Sequence, residues 1–531
     1  MKIVTKAAVL AAVSALSIAA AKPAEAQSQN LTMAVGAQVT SLDPHYHALS
    51  PNYAVATMLF SSLTAFDSEA RLEADLAVSW KAIEPKVWEF KLREGVKFHN
   101  GNDFTAEDVA FTIERVPTVP NSPSSYAIYT RAIERVEVVD PLTVRFHTRT
   151  PYPVLPNDLA QIAILDKQTH EGASTEDFNS GKVAIGTGPF KYVNFRSGDR
   201  LSLARNDSYF GEKPAWATVD YRIVVNDSGR TAGLLAGDVD FIDQVPTSDI
   251  ATLRRDKRAK MAEKDGLRVI YLALDHLHPE GSPQITGNDG KPLNKNPLLD
   301  VRVRRALSMA IDRQAIAARV MEGAANPTAQ FLPAGAFGHI PGMEAAKADP
   351  DAAKKLLAEA GYPDGFRITL SGPNDRYMND GRIVQAIGQM WTRIGIRTNV
   401  DAQPWTTFVS RAGKQELSAF LVGWSISSGE ASNPLRSLVA TYNREKGYGF
   451  SNRGRYSNPE MDAKMEAALG ELDDAKREVL LQEATKIAMD DVGIIPLHIQ
   501  KNLWAMRPNL AHDSRADELT RAQDVRPAAA P

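Results

Sequence analysis

Cysteine is absent from the 531-residue sequence, which excludes disulfide bonds, thiol nucleophiles and cysteine-ligated zinc. The sequence also lacks a large excess of charge of either sign. Its formal net charge is -3 at pH 7, which gives no indication of a nucleic-acid or anionic-membrane partner. The common catalytic motifs are missing too, since there is no GxSxG elbow, no HExxH pair and no GxxxxGK(S/T) phosphate loop. These absences favour binding over catalysis.

One long apolar run is present, and it lies at the N-terminus. Lys2 and Lys6 precede the apolar residues 7–21, and the sequence AEA at 24–26 matches a small-x-small cleavage site. The run is shorter than the roughly 20 residues needed to span a bilayer, which disfavours a membrane anchor. We therefore predict a signal peptide over residues 1–26 and export to the periplasm. Without cysteine, no lipid anchor is expected.

The rest of the chain is long enough for several domains. It exceeds the roughly 250–300 residues at which a single core stops growing. Residues 218–242 read as strand, helix and strand, which predicts an α/β fold with a parallel or mixed sheet. Helix signals are strong where they occur. Thr105 and Asp108 have capping-box spacing, and Asp349-Pro350 is a typical helix start.

Two histidine pairs could ligate a metal ion, because residues two apart on a strand face the same way. They are His45 with His47, and His276 with His278. No carboxylate stands nearby at a recognisable spacing, so histidines in turns or on the surface are the favoured interpretation. We expect no metal and no cofactor. Paired carboxylates for glycoside hydrolysis are not identifiable, which leaves a secreted hydrolase as the least favoured alternative.

An irregular segment, GWSISSGEASNPLRSLVA (423–440), fits neither helical nor strand periodicity over its first ten residues. It combines one tryptophan and one glutamate with small polar residues. Small residues allow the backbone to approach a ligand closely, which favours a place at a binding cleft. The alternatives are a core position for Trp424 and a helix-start role for Glu430.

Several segments resemble family 5 extracellular solute-binding proteins, the peptide/nickel-type receptors of ABC importers. The most specific is AVSWKAIEPKVWEFKLREGVKFHNGNDFTAEDVAFTIER (77–115). The resemblance continues in order along the chain through GTGPF (186–190), RNDSYFG (205–211), DVRVRRALSMAIDR (300–313), LLAEAGYPDGF (356–366), YSNPEMD (456–462) and IIPL (494–497).

This resemblance implies a type II periplasmic-binding fold with two lobes around a ligand cleft and an extra inserted domain. Lobe I would comprise residues 27–65, 190–275 and 497–531, and lobe II residues 276–496. The extra domain would comprise residues 66–189, and the chain would cross between the lobes near 274–275 and 496–497.

The resemblance also implies candidate ligand-binding residues. The GW motif of dipeptide-binding members corresponds to Gly423 and Trp424, but Ser427 stands where those members have an aspartate for the peptide ammonium. Glu430 is the nearest acid that could replace it. Arg376 matches the arginine that receives the ligand carboxylate. His45 and Tyr46 are further candidates, on the side of lobe I.

The implied function is capture of a peptide-like molecule, of the dipeptide, oligopeptide or glutathione class, for delivery to ABC permease subunits in the inner membrane. The protein would be a monomer without enzymatic activity. The serine at position 427 leaves a non-peptide ligand open, such as a nickel chelate, an opine or a sugar conjugate.

Overall fold

A computed structural model describes residues 29–426 and 428–529. The predicted signal peptide and Ser427 lie outside the described residues. In chain order, the strands are β1 (Asn30–Val35), β2 (Thr64–Phe66), β3 (Leu72–Ala74), β4 (Ala77–Glu84), β5 (Val87–Leu92), β6 (Ile133–Asp140), β7 (Thr143–Thr148), β8 (Phe190–Arg196), β9 (Arg200–Arg205), β10 (Thr218–Ile223), β11 (Phe241–Ile242), β12 (Lys260–Leu274), β13 (Ile285–Thr286), β14 (Ala325–Pro327), β15 (Arg367–Pro373), β16 (Arg397–Gln403), β17 (Ala419–Ser425), β18 (Ile494–Met506), β19 (Leu510–His512) and β20 (Val525–Pro527).

The helices are α1 (Ser50–Leu59), α2 (Ala106–Arg115), α3 (Ala127–Thr130), α4 (Leu155–Leu159), α5 (Lys167–His170), α6 (Thr175–Asn179), α7 (Asp227–Ala236), α8 (Thr247–Leu253), α9 (Val301–Met309), α10 (Arg313–Ala315), α11 (Pro350–Glu359), α12 (Asp380–Arg393), α13 (Trp405–Gly413), α14 (Ser432–Pro434), α15 (Pro459–Gly470) and α16 (Asp474–Asp490).

Local sequence signals form several of these elements as predicted. At α2, the Thr105 side chain accepts from the backbone of Asp108, whose carboxylate accepts in return from the Thr105 backbone. At α11, the Asp349 side chain caps the helix and Pro350 occupies its first turn. Helix α7 ends at Gly237, whose φ of 89° is the left-handed conformation that glycine adopts without strain.

A mixed sheet connects the two lobes. Its order is β13-β15-β17-β12-β18-β11-β1-β10-β9-β8, with β16 beside β15 and β14 beside β18. β1 lies between β10 and β11 and is parallel to both, as the strand–helix–strand segment predicts. The type II binding-protein fold predicted from the resemblance is therefore confirmed as a two-lobed α/β architecture.

The long central strands β12 and β18 join the lobes. Residues 260–265 of β12 pair with β18 next to β11, whereas residues 268–274 pair with β17. The ladder is interrupted between these two parts, where Gly266 would place a Cβ 2.4 Å from the carbonyl oxygen of Gln500. The predicted crossings at 274–275 and 496–497 lie on the lobe II side of this interruption. We place the boundary between the lobes at the interruption itself.

The extra domain has its own core. Its antiparallel sheet, in the order β4-β5-β7-β6, packs with α2 around buried side chains from Leu63 to Ile164. Leu165, Phe178 and Val183 pack instead into the core of lobe I. The fully buried part of the extra-domain core thus ends at Ile164, although Ile185, close to the predicted boundary at residue 189, still packs against it.

The extra domain also contacts lobe II through a buried polar network. The Tyr152 hydroxyl donates to the Asp158 carboxylate at 2.6 Å and accepts from the Arg436 guanidinium at 3.0 Å. The Asn157 side chain donates to the carbonyl oxygen of Ser428 at 3.4 Å. Burial raises the pKa of Asp158 to about 7, although Arg436 and the Tyr152 hydrogen bond oppose the rise. This acid therefore titrates near neutral pH.

We predict that Asp158→Asn flattens the pH dependence of stability. Native Asp158 keeps its proton up to a pH near 7, whereas the unfolded carboxyl ionises near pH 4, so its contribution is lost as pH rises through 7. The difference in unfolding free energy between variant and wild type should rise by about 2.6 kcal/mol from pH 5 to pH 8, at about 1.4 kcal/mol per pH unit between the two pKa values. Urea unfolding at both pH values measures this.

The exposed acid Asp103 of the same domain provides the control, and Asp103→Asn should track wild type at both pH values. An unchanged difference for Asp158→Asn between pH 5 and pH 8 would contradict the prediction.

Candidate functional site

A cleft of about 2070 Å³ lies between the two lobes. Lobe I contributes residues after β1, β10 and β11, namely 36–40, 225–228 and 243–248. Lobe II contributes the loop 374–379 and one face of α12. The floor is formed by Arg268, by residues 500–504 of β18 and by the C-terminal segment 518–520. The cleft is therefore at the carboxyl ends of parallel strands, where α/β folds usually bind ligands.

On the lobe II wall, Arg376 is exposed and lies over two aromatic rings. Its guanidinium is 5.4 Å from the ring centre of Tyr377 and 5.5 Å from that of Trp405. The Asp380 carboxylate accepts from the backbone N–H groups of Arg376 and Tyr377, at 3.0 and 2.9 Å, and so fixes the loop. Asn379 has a φ of 55° and donates to Thr247 of lobe I at 2.8 Å.

On the cleft floor, Arg268 and Glu518 form an ion pair. The Nε of Arg268 donates to Oε2 of Glu518 at 3.0 Å, a second guanidinium nitrogen binds Oε1, and the Ser50 hydroxyl donates to Oε1 at 3.1 Å. Burial raises the pKa of the Glu518 carboxyl, but Arg268 and Arg376 more than offset this and hold it below its usual value. Glu518 itself has a left-handed φ of 64°. Such strained positions cluster at functional sites.

On the lobe I wall, Asp243 follows β11 and is only 7% exposed. One carboxylate oxygen accepts from the backbone N–H of Gly36 at 2.8 Å. Burial raises the pKa of Asp243 to about 6, while the nearby Arg230 guanidinium opposes the rise. The next residue, Gln244, has a φ of 45°, so backbone strain recurs here.

The irregular segment touches the cleft loop at Gly423. The Tyr377 hydroxyl donates to the Gly423 carbonyl oxygen at 3.2 Å. A Cβ on Gly423 would lie 2.7 Å from the Ile270 side chain and 2.9 Å from the Tyr377 ring, so a larger residue does not fit. Trp424 is half-buried, packs against the lobe II core and donates to Asn433 at 2.7 Å. It is not among the residues that line the cleft.

The structure places Glu430 away from the cleft, contrary to its predicted role as a ligand-binding acid. It is 3% exposed, its carboxylate lies 2.5 Å from the Arg477 guanidinium, and the Ser432 hydroxyl donates to it. Both oxygens therefore have protein partners inside lobe II. The alternative role for Glu430, an acid at the start of a helix, does not account for its ion pair with Arg477 either.

His45 was predicted to bind the ligand on the side of lobe I, but the structure places it in the core. It is fully buried, with Nε2 2.8 Å from the carbonyl oxygen of Ala163 and Nδ1 3.0 Å from the Arg115 guanidinium. Burial lowers the pKa of the ring, which keeps it neutral in the core. Tyr46 is half-buried and outside the cleft lining, whereas the next residue, His47, lines the cleft.

The structure thus brings together Arg376 and Gly423 around Tyr377, and adds cleft residues that the sequence interpretation missed. These are Asp243, Arg268, Arg453 and Glu518. Asp243 had a usable signal, because it directly follows a strand of a strand–helix–strand unit. Among the described residues, no group of three or more histidines and acids is arranged to hold a metal ion. None of the described helices combines the length and apolar character needed to cross a membrane.

The family described as "Bacterial extracellular solute-binding proteins, family 5 Middle" matches residues 71–446. The chain belongs to this family. Its relatives include the glutathione-binding protein GsiB of Salmonella typhimurium, 28% identical over 510 residues and 94% of each chain. Another is heme-binding protein A of Haemophilus influenzae, 29% identical over 462 residues, which cover 80% of this chain and 78% of the relative.

The fold of this family 5 protein is also found in a solved structure. The periplasmic binding protein DppA from Helicobacter pylori, in complex with the peptide STSA, superposes with a TM-score of 0.78 at 23% identity. The match covers 94% of this chain and 98% of that protein. The resemblance predicted from the sequence motifs is confirmed.

We predict that Glu430→Gln destabilises the protein, because it leaves Arg477 buried without its main counter-charge. Removing one partner of a buried ion pair costs about 3 kcal/mol or more in unfolding free energy. Urea unfolding measures the loss. The matched control is Glu466→Gln, which removes one partner of the exposed pair with Lys446 and should change stability by less than about 1 kcal/mol. Equal effects of the two substitutions would contradict the structural role of Glu430.

Proposed function

We propose that this family 5 protein captures a peptide or peptide-like small molecule in the periplasm and delivers it to the permease subunits of an ABC importer. The observation that carries the proposal is the cleft between the lobes, which is lined by both polar and apolar groups and has Arg376 exposed on its wall. Its volume of about 2070 Å³ exceeds the roughly 300–1,000 Å³ typical of small-molecule sites, which is expected if the lobes close around the ligand.

Arg376 is suited to receive a carboxylate. The rings of Tyr377 and Trp405 hold the guanidinium by cation–π contact, which uses none of its N–H groups as hydrogen-bond donors to a carboxylate. An arginine can therefore bind a carboxylate through two parallel hydrogen bonds, with the loop held in place by Asp380. Peptides and glutathione both present such carboxylates.

Domain closure is the proposed mechanism. A ligand that touches both lobes stabilises the closed arrangement and shifts the population toward it. Here lobe II offers Arg376, lobe I provides the facing wall with residues 225–228 and 243–248, and the floor between them contains the break in the β12–β18 ladder. The closed complex would then dock on the permease with the ligand chemically unchanged. We propose that the protein acts as a monomer.

The names of relatives support a peptide-like ligand, since they include a glutathione-binding protein and a peptide complex. A non-peptide ligand is the second candidate. The burial of Glu430 favours it, because that acid is then not free to bind a peptide ammonium. Nickel chelates, opines and sugar conjugates are the classes to compare.

We predict that Arg376→Ala weakens binding of the best peptide ligand by about 10- to 100-fold, the usual value of a charge-assisted hydrogen bond. Thermal-shift screening of wild type against di- and tripeptides and glutathione identifies that ligand. At 100 times its dissociation constant, a ligand adds about 2.7 kcal/mol of stability. Titration calorimetry then compares the variants.

Arg397→Ala is the matched control, since this exposed arginine begins β16, at the opposite end of the strand from the cleft, and does not line the cleft. Its affinity should equal that of wild type. Binding of nickel chelates, opines or sugar conjugates in place of any peptide would instead support the second candidate.

A further inference from the structure

The basic side chains that line the cleft fall into two groups. Three of them have a carboxylate within 4 Å: Arg268 with Glu518, Arg382 with Glu322, and Lys501 with Asp265. Arg376 and Arg453 have none among the described residues. Both are on lobe II. Arg376 already has a role in the proposed function, whereas Arg453 does not.

Arg453 projects from a loop that is held in place by several contacts. The preceding Asn452 is buried, and its side chain donates to the carbonyl oxygens of Ala440 and Tyr456 and accepts from the Tyr456 backbone. On the other side, Gly454 is packed so closely that a Cβ would lie 2.1 Å from the carbonyl oxygen of Leu274. The loop therefore presents Arg453 from a fixed backbone.

The residue after this glycine adds a further constraint. Arg455 has a left-handed φ of 61°, and its guanidinium lies 4.2 Å above the ring centre of Tyr442. A non-glycine residue in this conformation costs free energy, which the surrounding contacts must offset. The two arginines that flank Gly454 thus have different surroundings. Arg455 stacks on the surface, and Arg453 lines the cleft.

Arg453 lies near the aromatic side chains that support Arg376. Tyr271 of β12 is buried, and its phenol interacts electrostatically with Arg453 and with Tyr377. Tyr377 is also the ring beneath Arg376. Arg376 and Arg453 therefore both line the cleft from lobe II, and their guanidinium groups are linked electrostatically through Tyr377 and Tyr271.

A guanidinium at a half-buried position loses part of its hydration, and it gains most from a planar anion that accepts two hydrogen bonds. Closure of the lobes would remove more water from Arg453 and increase this preference. We propose that Arg453 binds a second carboxylate of the ligand, so that the cleft selects peptide-like molecules with two carboxylates. This inference rests on the proposed function, in which Arg376 binds the first.

The test uses pairs of ligands that differ only by a carboxylate and its amide. Calorimetry at constant ionic strength compares Ala-Glu with Ala-Gln, Ala-Ala-Glu with Ala-Ala-Gln, and tricarballylate as a non-peptide polyanion. We expect wild type to bind the acid of each peptide pair about 10-fold or more tightly than the amide. In Arg453→Gln this preference should fall below about 3-fold, while the affinity for the amides stays within about 2-fold of wild type.

Arg444→Gln is the matched control, because it removes the same charge from a nearby exposed position outside the cleft. It should keep the wild-type preference. Thermal unfolding without ligand shows whether each variant is folded, and Arg453→Lys serves as a second variant that keeps the charge and should retain part of the preference.

The outcomes separate the two proposals. Equal binding of acid and amide by wild type, or an unchanged preference in Arg453→Gln, overturns the role of Arg453 and leaves the peptide function standing. Binding of tricarballylate alone, lost in Arg453→Gln, overturns the peptide function and keeps the anion site. Binding of no member of the panel overturns both.

Discussion

The pairing of β12 with β18 is the constraint on which the rest of the structure depends. These two strands extend through both lobes, with β11 and β1 attached on one side of the break in their ladder and β17 on the other. Arg268 is the first residue after the break, and it pairs with Glu518 of the C-terminal segment. The floor of the cleft is therefore the region where the lobes meet. A ligand bound on this floor would be in contact with both lobes.

The electrostatic balance of the cleft follows from how its charges are satisfied. Its acids have protein donors: Asp380 accepts from backbone N–H groups, Asp243 from Gly36, and Glu518 from Arg268. Arg376 and Arg453 have no carboxylate partner among the described residues. A count of the acidic and basic residues in the cleft lining is therefore a poor guide to the charge of the ligand. The acids already accept hydrogen bonds from the protein, so they compete weakly for a ligand. This difference is the basis of the proposed preference for ligands that carry carboxylates.

Sequence reasoning succeeded where the signal was local. The capping box at Thr105 and the helix start at Asp349 depend on neighbours in the chain, and ordered motifs were enough for the family and its fold. It failed where the partner was distant. The small residues around Glu430 in the sequence suggested a ligand-binding acid. In the structure, Arg477, which lies 47 residues later in the chain, pairs with it inside lobe II. Arg453 was missed because its direction depends on Gly454 packing against Leu274.

The segment 423–440 has three different partners, and its described residues change from strand β17, which ends at Ser425, to helical turns over residues 432–439. Its start contacts the cleft loop, through the hydrogen bond from Tyr377 to Gly423. Its middle provides Glu430 to the interior of lobe II, and its end provides Arg436 to Tyr152 of the extra domain. Gly423 is therefore presented by a strand and Arg436 by helical turns, each at a different part of the segment. The same segment therefore contacts both the loop on the cleft wall and the extra domain outside the cleft.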